Sequence, residues 1–94
     1  MHTVQQLREQ GHKVRVIHYR YSDLSVPFGL IPQREAKERN IPIRTHGGVT
    51  EVYITTPSKE QFFGVARCNP QDQFNRKIAL KIAIGRALKG KNLV

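Results

Sequence analysis

The chain has 94 residues, with 16 Lys and Arg against 7 Asp and Glu for a net charge of +9, one Cys and no Trp. That length predicts one domain over residues 1–94 and excludes a multidomain enzyme, while 38% hydrophobic residues, with Ile, Val and Phe in patterned positions, exclude a disordered basic tail. No apolar stretch approaches the roughly 18 residues that cross a bilayer, one cysteine makes no internal disulfide, and His2-Thr3-Val4-Gln5-Gln6 lacks the apolar run of a secretory signal; the expected compartment is the cytoplasm.

In chain order, Thr3 and Gln6 form a capping-box pair that predicts a short helix, with Val4 and Leu7 on one face and Gly11 as its stop. Residues 13–21 are dense in β-branched and aromatic side chains and predict a strand. Alternation sets Val14, Val16 and His18 on one face and Arg15, Ile17, Tyr19 and Tyr21 on the other. Residues 22–48 contain Pro27, Pro32, Pro42, Gly29, Gly47 and Gly48, so the expectation is an irregular segment with one short helix at 33–40. The alternating charges Arg34, Glu35, Lys37, Glu38 and Arg39 on that helix read as a solvated surface. Gly47-Gly48 reads as a turn, with a phosphate-holding backbone nest as the alternative.

Val52 and Ile54 alternate with Glu51, Tyr53 and Thr55, which predicts a strand over 49–56. Pro57-Ser58-Lys59-Glu60 supplies a turn, and residues 61–68 return as the second arm of a hairpin, with Phe63 and Val65 on one face and Phe62, Gly64, Ala66 and Cys68 on the other. Asn69 as a cap, Pro70 at the first helical position and Asp72 in the first turn predict a helix over 70–89, ended by Gly90. The sum is an α+β fold: a small antiparallel sheet of about three strands, a long C-terminal helix packed on it, and a short N-terminal helix.

On that long helix Phe74, Ile78 and Ile82 form one stripe and Leu80, Ile84 and Leu88 an adjoining one. Together they span about half the circumference, more than a sheet contact needs, so one stripe is expected on the sheet and the other on a second copy of the helix, giving a homodimer, or on the rest of the fold. The opposite strip, Asn75, Arg76, Ala79, Ala83, Arg86 and Ala87, suits a phosphate backbone or another protein's surface. Six basic residues (Arg76, Lys77, Lys81, Arg86, Lys89 and Lys91) crowd the last 26 positions against one acid, Asp72. Solubilising charge explains such a face; so does an electrostatic footprint for nucleic acid. Lys13, Arg15 and Arg20, interleaved with Tyr19 and Tyr21, add cations next to rings on which bases could stack, although the tyrosines also read as ordinary sheet residues.

Catalytic chemistry finds little support. Cys68 precedes the predicted helix N-terminus but has no histidine near it in sequence, and reads as a buried, inert thiol. His2, His12, His18 and His46 are too scattered for a metal set, and the acids show no paired spacing for acid–base work, so neither metal nor cofactor is expected and the chain reads as a non-enzyme.

The run Cys68-Asn69-Pro70-Gln71-Asp72-Gln73-Phe74-Asn75-Arg76-Lys77, continuing through Ile82-Ala83-Ile84-Gly85-Arg86-Ala87-Leu88, resembles a box in small uncharacterised proteins of phages and other mobile elements, and Val14-Arg15-Val16-Ile17-His18-Tyr19-Arg20 is similar in kind. The resemblance implies a compact accessory protein that binds nucleic acid or blocks a host defence complex. No site residue follows from the resemblance; the placement of charge gives the expectation of nucleic-acid binding through Arg76, Lys77, Lys81, Arg86 and Lys89, with Arg15, Arg20 and Tyr19 contributing from the sheet. Two alternatives stand beside it. One is a protein-directed inhibitor or adaptor of a host complex; the other is a pocket for a nucleotide signal between subunits, clamped by Arg86 and Phe74 or Tyr19.

Overall fold

The structure is a computed structural model that describes residues 3–22 and 29–89. Its first element, α1 (Val4–Glu9), begins at the expected capping box: Thr3 Oγ1 accepts from the Gln6 N–H and Gln6 Oε1 accepts from the Thr3 N–H, both at 3.1 Å. Gly11, at φ +92°, turns the chain into β1 (Lys13–Tyr21). There follow β2 (Leu30–Pro32), α2 (Gln33–Glu38), β3 (His46–Thr55), β4 (Gln61–Gln73) and α3 (Arg76–Lys89).

The strands form one antiparallel sheet in the order β2-β1-β3-β4, so the fold is α+β with four strands where about three were expected. The additional strand is β2, three residues ending at Pro32, which lies inside the segment expected to be irregular. Proline is tolerated there because β2 is an edge strand, and the pairing covers only Tyr19–Tyr21 of β1. The hairpin holds as expected, with β3 pairing β4 from Thr55↔Gln61 to Gly48↔Cys68.

Two expectations about the C-terminal region are corrected. Residues 70–73, including Pro70 and Asp72, belong to β4, and the helix starts at Arg76 with the Asn75 side chain accepting from the Ile78 N–H at 3.1 Å. Asn75 thus does the capping that Asn69 was expected to do. The Asn69 side chain instead accepts from the Gln71 N–H at 2.8 Å, holding a local turn geometry within the extended segment. Gly90, the expected helix stop, and Pro27 of the irregular segment lie outside the described residues.

The second correction is the face on which α3 docks. Ala79, Ala83, Ile84 and Ala87 are buried, whereas Ile78 and Ile82 are 57% and 42% exposed. Backbone proximity decides the choice. A Cβ on Gly64 of β4 would clash with the Ala83 carbonyl oxygen and lie 2.6 Å from the Ala87 nitrogen, so helix and strand touch main chain to main chain. Only small side chains permit that approach, and dispersion attraction along the whole seam outweighs burying two larger isoleucines. The alanine strip read as a ligand surface is therefore the core seam. Leu7 from α1, Val14, Val52, Ile54, Ala66 and Phe74 complete the core.

Gly47 and Gly48 form no turn and no open nest. Both lie in β3 at positive φ, at a register irregularity between His46 and Gly48. The Phe74 ring crosses Gly48, where a Cβ would come within 2.7 Å of Phe74 Cδ1.

Candidate functional site

Strand alternation gives the sheet two unlike faces. Val14, Val16, His18 and Arg20 of β1 lie on the side covered by α3, while Arg15, Ile17, Tyr19 and Tyr21 lie on the other. The β1–β3 register sets Arg15 opposite Tyr53, Ile17 opposite Glu51 and Tyr19 opposite Val49, and the β3–β4 register adds Phe63, Val65 and Arg67 to the same rows. α3 packs on the other face, and α2 lies beside β1 and β2 with Arg34 and Lys37 near Arg15, Ile17 and Tyr19.

A groove of about 480 Å³ opens beside Arg15, with Lys13, Ile17 and Tyr53 along it. A second, of about 610 Å³, shares Arg15 and Ile17 and runs past Tyr19 to Arg34 and Lys37 of α2 and Arg76 of α3. Lys13, Arg15, Arg34, Lys37 and Arg76 thus border two adjoining grooves, and among the described residues no carboxylate lines either. Arg34 lies 4.0 Å from Glu38 with both side chains largely exposed, a pairing too loose to cancel its charge.

The second groove follows an open sheet edge. Val14, Val16, His18 and Arg20 turn their peptide groups away from β3. Arg8 Nη2 donates to the Val14 carbonyl at 2.9 Å on that side, Ser22 N–H donates to the Gly29 carbonyl at 3.1 Å on the same side, and Tyr21 presents its carbonyl to the Arg44 N–H on the β3 side at 2.8 Å. β2 pairs with Tyr19–Tyr21, and the Tyr19↔Pro32 pair engages the His18 carbonyl, so the peptide group of Val16 is the one with no strand partner on that side among the described residues.

The ring of Tyr53 is held in place. Its hydroxyl donates to Glu51 Oε1 at 3.0 Å, and its ring lies 4.8 Å from that of Phe63 at an interplanar angle of 43°. Burial first, then the Glu51 carboxylate, raises the pKa of the Tyr53 and Tyr19 hydroxyls above the ordinary phenol value, so both stay protonated and neutral. On the covered face, His18 shares a 2.8 Å hydrogen bond with Thr50 Oγ1 and meets Phe74 edge to face. Burial, then the positive charges of Arg76 and Arg20, push its pKa below the usual histidine value.

The expected binding residues therefore separate into four groups. Arg15, Tyr19 and Arg76 all line the second groove, which wraps the edge of β1: Arg15 and Tyr19 reach it from the open face, Arg76 from the covered face beside His18. Lys77, Lys81 and Lys89 are exposed on α3 and form no ion pair among the described residues; no acidic residue lies anywhere in that helix. Arg86 is exposed, but Nη1 donates to the Val65 carbonyl at 2.8 Å on the outer edge of β4. Arg20 is committed to structure: it is buried on the covered face, sits 4.4 Å over the Phe74 ring, and donates to the Arg44 carbonyl at 2.9 Å and to Gln33 Oε1 at 3.3 Å.

Arg34, Lys37 and Tyr53 were not among the expected binding residues. Their spacing carried a partial signal, since Arg34 and Lys37 are three apart and share a helix face, but the position of that face beside β1 is a tertiary fact. Cys68 is half-buried; its thiol lies 3.5–3.7 Å from the carbonyls of Asn69, Asp72 and Gln73, and strand residues follow it where a helix N-terminus was expected. Among the described residues no group of three His, Cys, Asp or Glu side chains could hold a metal ion, and no helix is long and apolar enough to cross a membrane. In comparisons with known proteins, no family model, no curated sequence and no solved structure matches this chain.

Proposed function

We propose that the protein is a small non-enzymatic nucleic-acid-binding protein that holds phosphates along the two grooves and the adjoining face of α3. The observation that carries this reading is a groove around the edge of β1 lined by Arg15 on one face, Arg76 of α3 on the other and Arg34 and Lys37 of α2, with no carboxylate among its described lining residues. Like charges on three separate elements repel, and a fold gains nothing from assembling them without an anion to share. Lys77 and Lys81 extend the positive surface along α3, while Lys89 falls between Ile78 and Ile82 in azimuth, and the +9 net charge attracts a polyanion from a distance. The protein acts in this reading as a cytoplasmic homodimer, and its likeness to phage and mobile-element proteins makes it an accessory factor of such an element.

Fluorescence polarisation with labelled DNA and RNA at two salt concentrations tests the proposal. Affinity is expected to fall steeply with salt, and the combined variant Arg15→Ala, Arg34→Ala, Lys37→Ala is expected to weaken binding at least tenfold and flatten the salt slope, with folding unchanged. Absence of binding at about 10 µM protein in low salt overturns it.

The edge of β1 beyond β2 favours a second reading, a protein-directed inhibitor or adaptor in which an extended acidic segment of a host complex pairs alongside Val16. A partner retained in pull-downs after nuclease treatment would support this reading over the first.

A further inference from the structure

Resting on the nucleic-acid reading, we infer that the ligand is single-stranded, with unpaired bases stacked on Tyr53 and Tyr19 and the backbone following Lys13, Arg15, Arg34 and Lys37. Three observations converge on this class.

First, the cations border grooves whose floor is apolar and aromatic. Ile17 lies in both grooves, Tyr53 in one and Tyr19 in the other. A duplex presents phosphates and sugars outward and keeps its bases inside, so it would meet the arginines and leave the rings without a stacking partner. A single strand satisfies both, because every unpaired base offers a π face.

Second, Tyr53 is prepared for stacking. At 39% exposure it is among the few large side chains left open, yet the Glu51 bond and the Phe63 ring fix its orientation. Little side-chain entropy remains to be lost when a base covers it. Glu51 keeps its carboxylate engaged with the phenol, which moderates its repulsion of a passing phosphate.

Third, the grooves run end to end along one strand. Four residues separate Arg15, which faces Tyr53, from Tyr19, about 13 Å at roughly 3.3 Å per residue. A stacked strand rises about 3.4 Å per nucleotide, so the two rings lie a few nucleotides apart on one chain. The peptide group of Val16 lies between them on the edge of β1, a donor and an acceptor suited to the Watson–Crick edges that only unpaired bases expose.

The experiment compares a labelled 12-nucleotide single strand with a hairpin duplex of the same phosphate number, in DNA and RNA forms, against the full chain. The single strand is expected to bind at least tenfold more tightly. Tyr53→Ala is expected to weaken single-strand binding about fivefold or more and leave duplex binding unchanged, while Tyr53→Phe, which keeps the ring, retains most of the affinity. A circular dichroism melt confirms that each variant is folded. Equal affinity for duplex and single strand, with Tyr53→Ala silent on both, overturns the inference and leaves the nucleic-acid reading standing. Failure of every oligonucleotide to bind overturns both. Displacement of the single strand by a polyglutamate peptide of equal charge, with Tyr53→Ala again silent, overturns the inference in favour of an acidic protein partner.

Discussion

The two faces of the sheet are built from the same alternating strands but obey opposite rules. On the covered face the closest contact is between main chains: Gly64 meets the backbone of Ala83 and Ala87, and there is no room for even a methyl group. On the open face Arg15, Tyr53 and Phe63 stand in one cross-strand row with α3 on the far side of the sheet. Substitutions on the first face therefore read out as stability and those on the second as binding. The chain separates the two tasks by a single residue of register, since a one-residue slip would exchange every side chain between them.

The sharpest way to break the distinction is Gly64→Val. The added side chain must push α3 off the sheet and would uncover Ala79, Ala83 and Ala87 together. The expected loss is about 3 kcal/mol or more, enough to abolish cooperative unfolding in a domain this small. Urea denaturation monitored by circular dichroism checks it. A midpoint within error of the unsubstituted chain would mean the main-chain seam does not hold the helix.

A smaller effect comes from His18, which lies on the covered face close to the groove. Its pKa in the folded protein is lowered, so folding favours the neutral ring. Above about pH 6.5 the ring is neutral in both states and adds no pH dependence. As pH falls below that value the unfolded chain takes up the proton first, and stability is lost until the folded ring titrates too. His18→Gln is therefore expected to flatten the stability profile between about pH 6.5 and 5, above the range where carboxylates dominate. Parallel profiles for the two proteins would show that Arg76, Arg20 and burial do not act on the ring as described.

Much of this arrangement was legible from residue order. The capping box at Thr3 and Gln6, the strand at 13–21 and the hairpin are local patterns, and each forms where its own residues specify it. The docking face of α3 was not legible in the same way. Periodicity ranks faces by hydrophobicity, and Ile78 with Ile82 outranks a row of alanines; the seam is decided by how closely two backbones can approach, which depends on Gly64 twelve residues before Arg76. Pro70 and Asp72 misled for a related reason: they are sound helix-start residues, but β4 continues through them to pair Gln73 with His46. At the candidate site, Arg15 and Tyr19 were readable from strand alternation. Arg34 and Lys37 were not, because charges on a short helix acquire meaning only when that helix is set beside another charged element.

The weakest expected effect concerns the outer side of α3, where Ile78 and Ile82 are exposed and Gly85 has open space at its Cβ position. An exposed isoleucine pair next to a glycine is a seam on which a second helix can approach closely, and this is where the proposed homodimer would form. Within one chain these side chains bury little, so Ile78→Glu with Ile82→Glu is expected to change intrinsic stability by no more than about 0.5 kcal/mol. Its effect belongs to association. Light scattering on the unsubstituted chain should give twice the 10.8 kDa chain mass, with a Tm that rises with protein concentration, and the double variant should fall to the single-chain mass with a concentration-independent Tm. A single-chain mass for both proteins would leave the isoleucines as isolated surface residues and would assign the whole of the protein's burial to the alanine seam on the other side of the helix.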